Sequence, residues 1–430
     1  MKRTASTVLL VLLLGCAGPA GAAGHDYPVL REVLRHLRLM FVDQPNLNAL
    51  LLGGLRGLKQ SLPELRVELG PRAGQYFLRA GASKLATDAR AVESFTGLER
   101  ALLGALRLAR AAGGKKGMEH QLIRGLISHC GDRWTVFLES AYYRRLLDDG
   151  TRQLGSVGLL PAAGRGGLLV LDVRDGSPAG QAGIRPGQVI DSIAGQPSER
   201  LNELEALALL RGPLGQKVTV TVAGRKHRLA YASEPKRNIS VDPPEQGIAR
   251  VHLLNFRAGT ARRLRAVLGK LENMGMRGLV LDLRGNPGGL LTEGVAVAGL
   301  FMDAGPVVRV VGRGRRHGET SENPAPGSWR ALPLVLLVDG RSASVSEMVT
   351  MVLHERRGAK IVGSTTLGKG VVQVLIELED GSALKLSTAR YATPAGRTLL
   401  AGIEPDVPVA AGPGSGDLAL QAARRVLSGR

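Results

Sequence analysis

With 430 residues, 44% of them hydrophobic and 22% charged, the chain is long enough for two or three domains with cores of their own. That balance excludes a disordered or low-complexity chain, and 58 glycines beside only 3% aromatic residues describe many tight turns and few large packing anchors. A net charge of +20 admits nucleic acid or an anionic membrane as partner. The basic residues are mostly Arg, however, and scattered without a run interleaved with aromatics, which favours general attraction to an anionic envelope surface and implies no specific nucleic acid.

The first element is a leader. Lys2 and Arg3 precede an apolar run from Val8 to Leu14 that is too short to span a bilayer, so residues 1–22 read as a secretory signal peptide. Two processing sites stand open. Leu13-Leu14-Gly15-Cys16 is similar to the bacterial lipoprotein box, in which Cys16 carries a lipid anchor, whereas Ala20-Gly21-Ala22 suits ordinary cleavage. Either way export is expected, to a bacterial periplasm or cell envelope. The second cysteine, Cys130, then has no partner within the chain, so no disulfide framework is expected, and its place in the amphipathic stretch HQLIRGLISHC makes it a core filler.

Residues 23–150 carry helical periodicity, as in YPVLREVLRHLRLMF and NLNALLLGGLRGL, with few β-branched runs. The stretches beginning at Asn46 and Glu119 are loosely alike, and Gly113-Gly-Lys-Lys-Gly between them reads as an exposed loop. From Gly155 the texture changes to short β-like runs, and Lys217–Val222 with the returning HRLAYA reads as a hairpin about Ala223-Gly224. Glu234-Pro-Lys-Arg-Asn and Asp242-Pro-Pro read as a linker. Beyond it, to about residue 410, apolar strands (GLVLDL, LPLVLLV, AKIVG) alternate with helical stretches, which predicts α/β layers. They include one strand-helix-strand unit from Leu334 to Gly363 with a right-handed crossover.

Ser344 falls where a strand of that unit hands over to a helix. It is the middle of three serines (Ser342, Ser344, Ser346) in DGRSASVSEMV, and with Glu347 it forms an S-x-x-E capping box. The same place suits a nucleophile, because free N–H groups and the positive end of the helix dipole stabilise a developing oxyanion. His354 lies ten residues along the same helix, about 15 Å away at 1.5 Å per residue, and cannot serve as its base. Lys369 is an alternative: it sits between glycines among apolar residues, with no acidic residue following until Glu377, and desolvation of that kind lowers a lysine pKa toward neutrality. An ordinary lysine in a glycine turn remains the competing reading. LDLRGNPGG, from Leu281, is a buried strand ending in a turn whose glycines permit close backbone approach.

In this order LDLRGNPGGLL (281–291), LVDGRSASVSE (337–347), GSTTLGKGVVQ (363–373), ALKLSTARYATPAGR (383–397) and GIEPDVPV (402–409) resemble the carboxyl-terminal processing peptidases, or tail-specific proteases. The resemblance implies a mixed α/β fold: a crotonase-like Ser-Lys protease core over 236–410, an inserted PDZ domain over 154–232, an N-terminal helical region and a C-terminal helical tail over 411–430. It assigns Ser344 as nucleophile, Lys369 as base and Gln373 as the residue orienting that lysine. Backbone N–H groups of Gly288, Gly289 and Val345 become the oxyanion hole. GSVGLL and the sequence after it look like the PDZ segment, whose loop of Ser156, Val157, Gly158 and Leu159 would take a C-terminal carboxylate, with Leu159 and Leu169 lining an apolar pocket.

The implied activity is that of an exported serine endopeptidase cutting near the free, apolar C-terminus of a protein or peptide. No metal or cofactor is implied, since there is no H-E-x-x-H, CxxC pair or P-loop. Two departures stand out. Residues about 60–117 have no counterpart in the resemblance and suggest an insertion, and Arg341 stands beside the nucleophile where small residues are common. They motivate an alternative, a catalytically degenerate PDZ scaffold that binds C-termini without cleavage.

Overall fold

The computed structural model describes residues 26–429 apart from 70–74, 81–82, 89–91, 115–116, 148–153, 165–166, 175, 234–237, 314–318 and 410–416. The leader, with Cys16, lies outside the described residues, as do Glu234–Arg237 of the expected linker. Two compact units divide the chain: residues up to 233 together with 373–388, and residues 234–372 together with 389–430.

The first unit begins with helices α1 (Pro28–Met40) and α2 (Leu47–Ser61). Leu30, Val33, Leu34 and Leu37 recur at helical spacing and are buried in its core. Strands β1 (Arg66–Leu69), β2 (Gln75–Ala80) and β3 (Ser83–Asp88) then form an antiparallel meander, followed by helices α3 (Phe95–Ala111) and α4 (Met118–Ile127). The meander corrects the expectation of a wholly helical region. Its strands are four to six residues long and contain only Val67 and Thr87 as β-branched residues, so neither length nor composition announces them.

The two stretches that look alike in sequence, α2 and α4, pack directly on one another. Glycines set the approach: a Cβ at Gly57 would stand 2.0 Å from the Gln121 carbonyl, and one at Gly125 would stand 2.2 Å from that of Gly53. Cys130 is buried beyond α4, and burial pushes its thiol up to about 12, which suits a core filler.

Strand β4 (Val136–Leu138) and helix α5 (Ser140–Leu146) lead into the 154–232 segment. Its elements are β5 (Leu154–Ser156), β6 (Leu159–Gly164), β7 (Gly167–Val173), α6 (Pro178–Gln181), β8 (Val189–Ile193), β9 (Gln196–Pro197), α7 (Glu203–Leu209), β10 (Arg211–Pro213), β11 (Lys217–Val222) and β12 (Arg225–Ala230). The main sheet runs β12-β11-β8-β7-β6 and leaves β6 at an edge. The β11–β12 hairpin turns on Ala223 and Gly224, with φ of 48° and 76°, the two left-handed residues that a twisted two-residue hairpin requires. Helix α7 is tied to α4 within this unit: Arg124 pairs with the fully buried Glu205 and with Glu139.

The second unit is built on a sheet of order β13-β14-β15-β18-β19-β22. From residue 239 onward the elements are β13 (Ile239–Glu245), β14 (Ile248–Leu253), α8 (Thr260–Asn273), β15 (Gly278–Asp282), α9 (Leu291–Gly299), β16 (Gly305–Gly312), β17 (Glu319–Asn323), β18 (Leu334–Val338), α10 (Val345–Arg357), β19 (Lys360–Gly363), β20 (Val371–Glu377), β21 (Ala383–Ala392), β22 (Val407–Pro408) and α11 (Leu418–Ser428). Pairing is parallel from β14 to β22, and β13 joins antiparallel at the edge. The central strands are buried on both faces. Leu279, Leu281, Leu334 and Leu336 share a core with α8, α9 and α10, while Val280, Val335 and Leu337 alternate into a second core with α11.

Residues 373–388, the β20–β21 hairpin, group with the first unit: Leu378, Leu384 and Leu386 join the core that holds α1, Val42 N–H donates to Ser387 O at 2.9 Å, and Ala383–Lys385 pair with β4.

Candidate active site

Ser344 ends the turn between β18 and α10 as the N-cap of that helix. Its φ of 57° and ψ of −117° are rare for a residue with a Cβ and mark a strained strand-to-helix elbow. Flanking hydroxyls hold the elbow in place. Ser342 Oγ donates to Leu283 O at 2.8 Å and accepts from Asp339 N–H at 3.0 Å; Ser346 Oγ donates to Asn286 O at 2.9 Å. Both serines are fully buried, whereas Ser344 is half-buried.

The turn that follows β15 presses against the elbow. A Cβ at Gly288, where φ is 98°, would lie 2.8 Å from Ala343 O and 3.0 Å from both Ser344 Cβ and Val345 N. Asn286, fully buried, shapes this turn: Nδ2 donates to Leu253 O at 2.6 Å and Oδ1 accepts Gly288 N–H at 2.9 Å. The second bond removes Gly288 from the expected oxyanion donors, because its proton is committed. Gly289 differs. In its parallel bridge with Phe256 the bonds run from Phe256 N to Gly288 O (3.0 Å) and from Leu290 N to Phe256 O (2.8 Å), so the Gly289 N–H points away from that strand. Val345 is the first residue of α10, and its N–H has no carbonyl within the helix to reach.

Lys369 lies in the loop between β19 and β20, half-buried, after Gly368 at φ 78°. What joins this loop to the elbow is Glu347, a carboxylate with no exposed surface. Its Oε2 accepts Ser344 N–H at 2.8 Å and Lys369 N–H at 2.9 Å; its Oε1 accepts Thr366 Oγ1–H at 2.6 Å and Gly368 N–H at 2.7 Å. Two backbone nitrogens separated by 25 residues of chain therefore meet on one oxygen atom. Burial pushes the Glu347 carboxyl up from its usual range, and the four donors pull against that rise. Leu367 N–H adds a bond to Ser342 O at 3.1 Å. From β21, Tyr391 donates its N–H to Gly370 O at 2.9 Å, and its buried phenol, pushed up to about 12, is hydrogen-bonded with the Ser344 side chain.

The remaining assignments fall as follows. Arg341 is paired with Asp339 through Nε at 2.8 Å and Nη2 at 2.7 Å, so its charge is met by a carboxylate two residues away. His354 bonds to Ala359 O at 3.1 Å near the far end of α10. Gln373 lies at the start of the β20–β21 hairpin, and its amide nitrogen donates to Trp134 O at 2.6 Å and to Ser387 Oγ at 3.3 Å. Glu347 was visible in sequence only as a helix cap. Local spacing carries no sign that the same carboxylate also collects donors from residues 366–369.

In the 154–232 segment the loop before β6 is less open than expected. Ser156 N–H donates to Ala232 O (2.9 Å), Val157 N–H to Leu210 O (3.1 Å) and Gly158 N–H to Ser156 Oγ (3.2 Å), so three of the four expected donors are spent internally. Leu159 remains. Because Arg174 N–H bonds to Gly158 O at 2.8 Å, the Leu159–Val173 pair is one whose own polar groups turn away from β7, toward the open edge of β6. An Arg174 guanidinium nitrogen stands 3.3 Å from Ser156 Oγ, placing a cation at this loop.

Residues 247–409 match peptidase family S41, and residues 169–224 match a PDZ domain. The fold and these matches define a mixed α/β, PDZ-bearing chain of that peptidase family. Within that family its similarity is to the carboxyl-terminal processing proteases. The carboxy-terminal processing protease CtpA of Bacillus subtilis is 30% identical over 292 residues, covering 66% of this chain and 62% of that protein. A carboxyl-terminal-processing protease of Synechocystis is 32% identical over 286 residues, covering 63% and 66%. The chain thus spans less than two thirds of the length of these relatives. Among solved structures, a photosystem II D1 C-terminal processing protease shares the fold with a TM-score of 0.69 at 23% identity, over 94% of this chain and 98% of that one. No helix among the described residues is long and apolar enough to cross a membrane.

Proposed function

We propose that the protein is an exported serine endopeptidase that takes hold of a protein C-terminus through its PDZ domain and cuts near it by a Ser-Lys mechanism. The observation that carries this reading is the meeting of the Ser344 and Lys369 backbones on the Glu347 carboxylate, which puts a strained serine and a half-buried lysine at one corner of the sheet.

Ser344 Oγ attacks the scissile carbonyl while Lys369, neutral at the moment of attack, accepts its proton. Gly289 and Val345 N–H groups take the oxyanion; Gly288 serves instead to press the turn against the elbow. The lysine returns the proton to the departing amine, leaving an acyl group on Ser344, and water later cleaves that ester with Lys369 again as base. Gln373, with its amide nitrogen held by Trp134 O and Ser387 Oγ, keeps its side-chain oxygen to orient the lysine. The substrate C-terminus adds as a strand beside β6, its carboxylate meeting Leu159 N–H and the Arg174 cation, with an apolar last residue directed at the face that carries Leu159, while Leu169 alternates to the other face of the sheet. Export rests on the leader at residues 1–22, with Cys16 as the alternative lipid anchor.

Ser344→Ala and Lys369→Ala are each expected to abolish cleavage of a peptide with an apolar C-terminus while leaving its binding intact. Wild-type turnover by either purified variant overturns the mechanism. Against the scaffold alternative, the Asp339 carboxylate meets the charge of Arg341, one of the two features that motivate it.

A further inference from the structure

We infer that Glu347 is a positioning residue for this reaction: its carboxylate sets the separation and orientation of the nucleophile and base, and its charge tunes the proton affinity of the base. This rests on the Ser-Lys reading and extends it to a residue whose carboxylate bonds to the backbone N–H of both reacting residues.

Four donors surround the carboxylate: three backbone N–H groups, which can only donate, and Thr366 Oγ1–H, whose oxygen also accepts Ile403 N–H at 2.8 Å. A proton on Oε2 would face two N–H groups, so that side of the carboxylate suits the anion, while burial raises its proton affinity. A plain N-cap partner needs the Ser344 bond alone. The three further donors come from residues 366, 368 and 369, so the same carboxylate fixes the backbone leading into the lysine. The charge also has a consequence for Lys369. An anion at its backbone favours the ammonium and opposes neutrality, so the site balances exact placement against ease of deprotonation. The other charged or titratable groups at this corner are Tyr391, from β21, and the Asp339–Arg341 pair, from the turn before α10.

Glu347→Gln keeps the size but sets an NH2 group against two donors and removes the charge. The expected result, with a quenched peptide substrate across pH 5–10, is a plateau kcat lowered about 100-fold with KM within about twofold. The acid limb of the profile is expected to move about one unit lower. Thr366→Val, which loses one donor and keeps the anion, is expected to lose about tenfold in kcat with the limb unmoved. Peptide binding and thermal unfolding of the same samples report whether they are folded. A wild-type plateau in folded Glu347→Gln, or a lowered plateau with an unmoved acid limb, overturns the inference. Lys369→Ala measured alongside separates the two levels: activity there refutes the Ser-Lys reading, whereas an inactive Lys369→Ala beside a wild-type Glu347→Gln refutes the role of Glu347 alone.

Discussion

Gly288→Ala tests how the turn after β15 serves the nucleophile. At φ 98° the alanine enters the left-handed region, which costs a residue with a Cβ about 1–2 kcal/mol. The new methyl would also stand 2.8 Å from Ala343 O and 3.0 Å from Ser344 Cβ and Val345 N, all of them parts of the elbow and none of them a movable side-chain end. The elbow must therefore shift by several tenths of an ångström, carrying the Ser344 hydroxyl and the Val345 N–H with it. Misplacement on that scale costs about 100-fold in turnover, while the strain lowers the melting temperature by about 5 °C. Gly275→Ala is the matched control: its φ is 86°, but a methyl there meets nothing within 4 Å. It is expected to lose similar stability and keep wild-type kcat. Steady-state kinetics on both variants, with melting curves on the same samples, decide the matter. If Gly288→Ala turns over like Gly275→Ala, the turn is merely structural and the oxyanion arrangement is refuted.

Two stability predictions follow from the packing. Gly57→Ala places a methyl 2.0 Å from the Gln121 carbonyl and must force α2 from α4, costing about 3 kcal/mol. Gly54→Ala meets a movable Leu102 methyl at 2.9 Å and is expected to cost about 1 kcal/mol or less; equal denaturation midpoints would refute this packing. Asp282 supplies the pH prediction. Burial pushes its carboxyl up, but Arg284, His252 and Arg250 outweigh burial and hold it below the ordinary range. A folded-state value below the unfolded value of about 3.9 means that its contribution is present above that pH and is lost as pH falls through the folded value. Asp282→Asn is expected to be about 3 kcal/mol less stable at pH 7 and to lose stability less steeply on acidification below pH 4. An unchanged acid slope in denaturation curves contradicts the assignment.

Where local pattern and tertiary environment agree, the fold is legible in the chain. The apolar runs of β15 and β18 are buried on both faces, and α10 begins at the capping box and ends at Gly358. The β1–β3 meander was hidden because its strands are short and poor in β-branched residues. The candidate nucleophile and base were legible through their motifs, but not the bond that joins them, since Glu347 collects donors from a loop about 20 residues away in sequence. Gly288 and Gly289 look interchangeable in a Pro-Gly-Gly turn. They are separated only when Asn286 claims one N–H and a parallel bridge turns the other outward. Gln373 is legible from its motif, whereas the bonds of its amide nitrogen to Trp134 O and Ser387 Oγ, far off in the chain, are not.

The central claim is that Ser344 forms an acyl-enzyme with Lys369 as its base. Intact-protein and peptide mass spectrometry during turnover of an apolar-C-terminal peptide tests it most directly. The account predicts an acyl adduct on the Ser344 peptide of the wild-type protein, and neither adduct nor product with Lys369→Ala. An adduct on another residue, or product formed by Lys369→Ala at the wild-type rate, would contradict it.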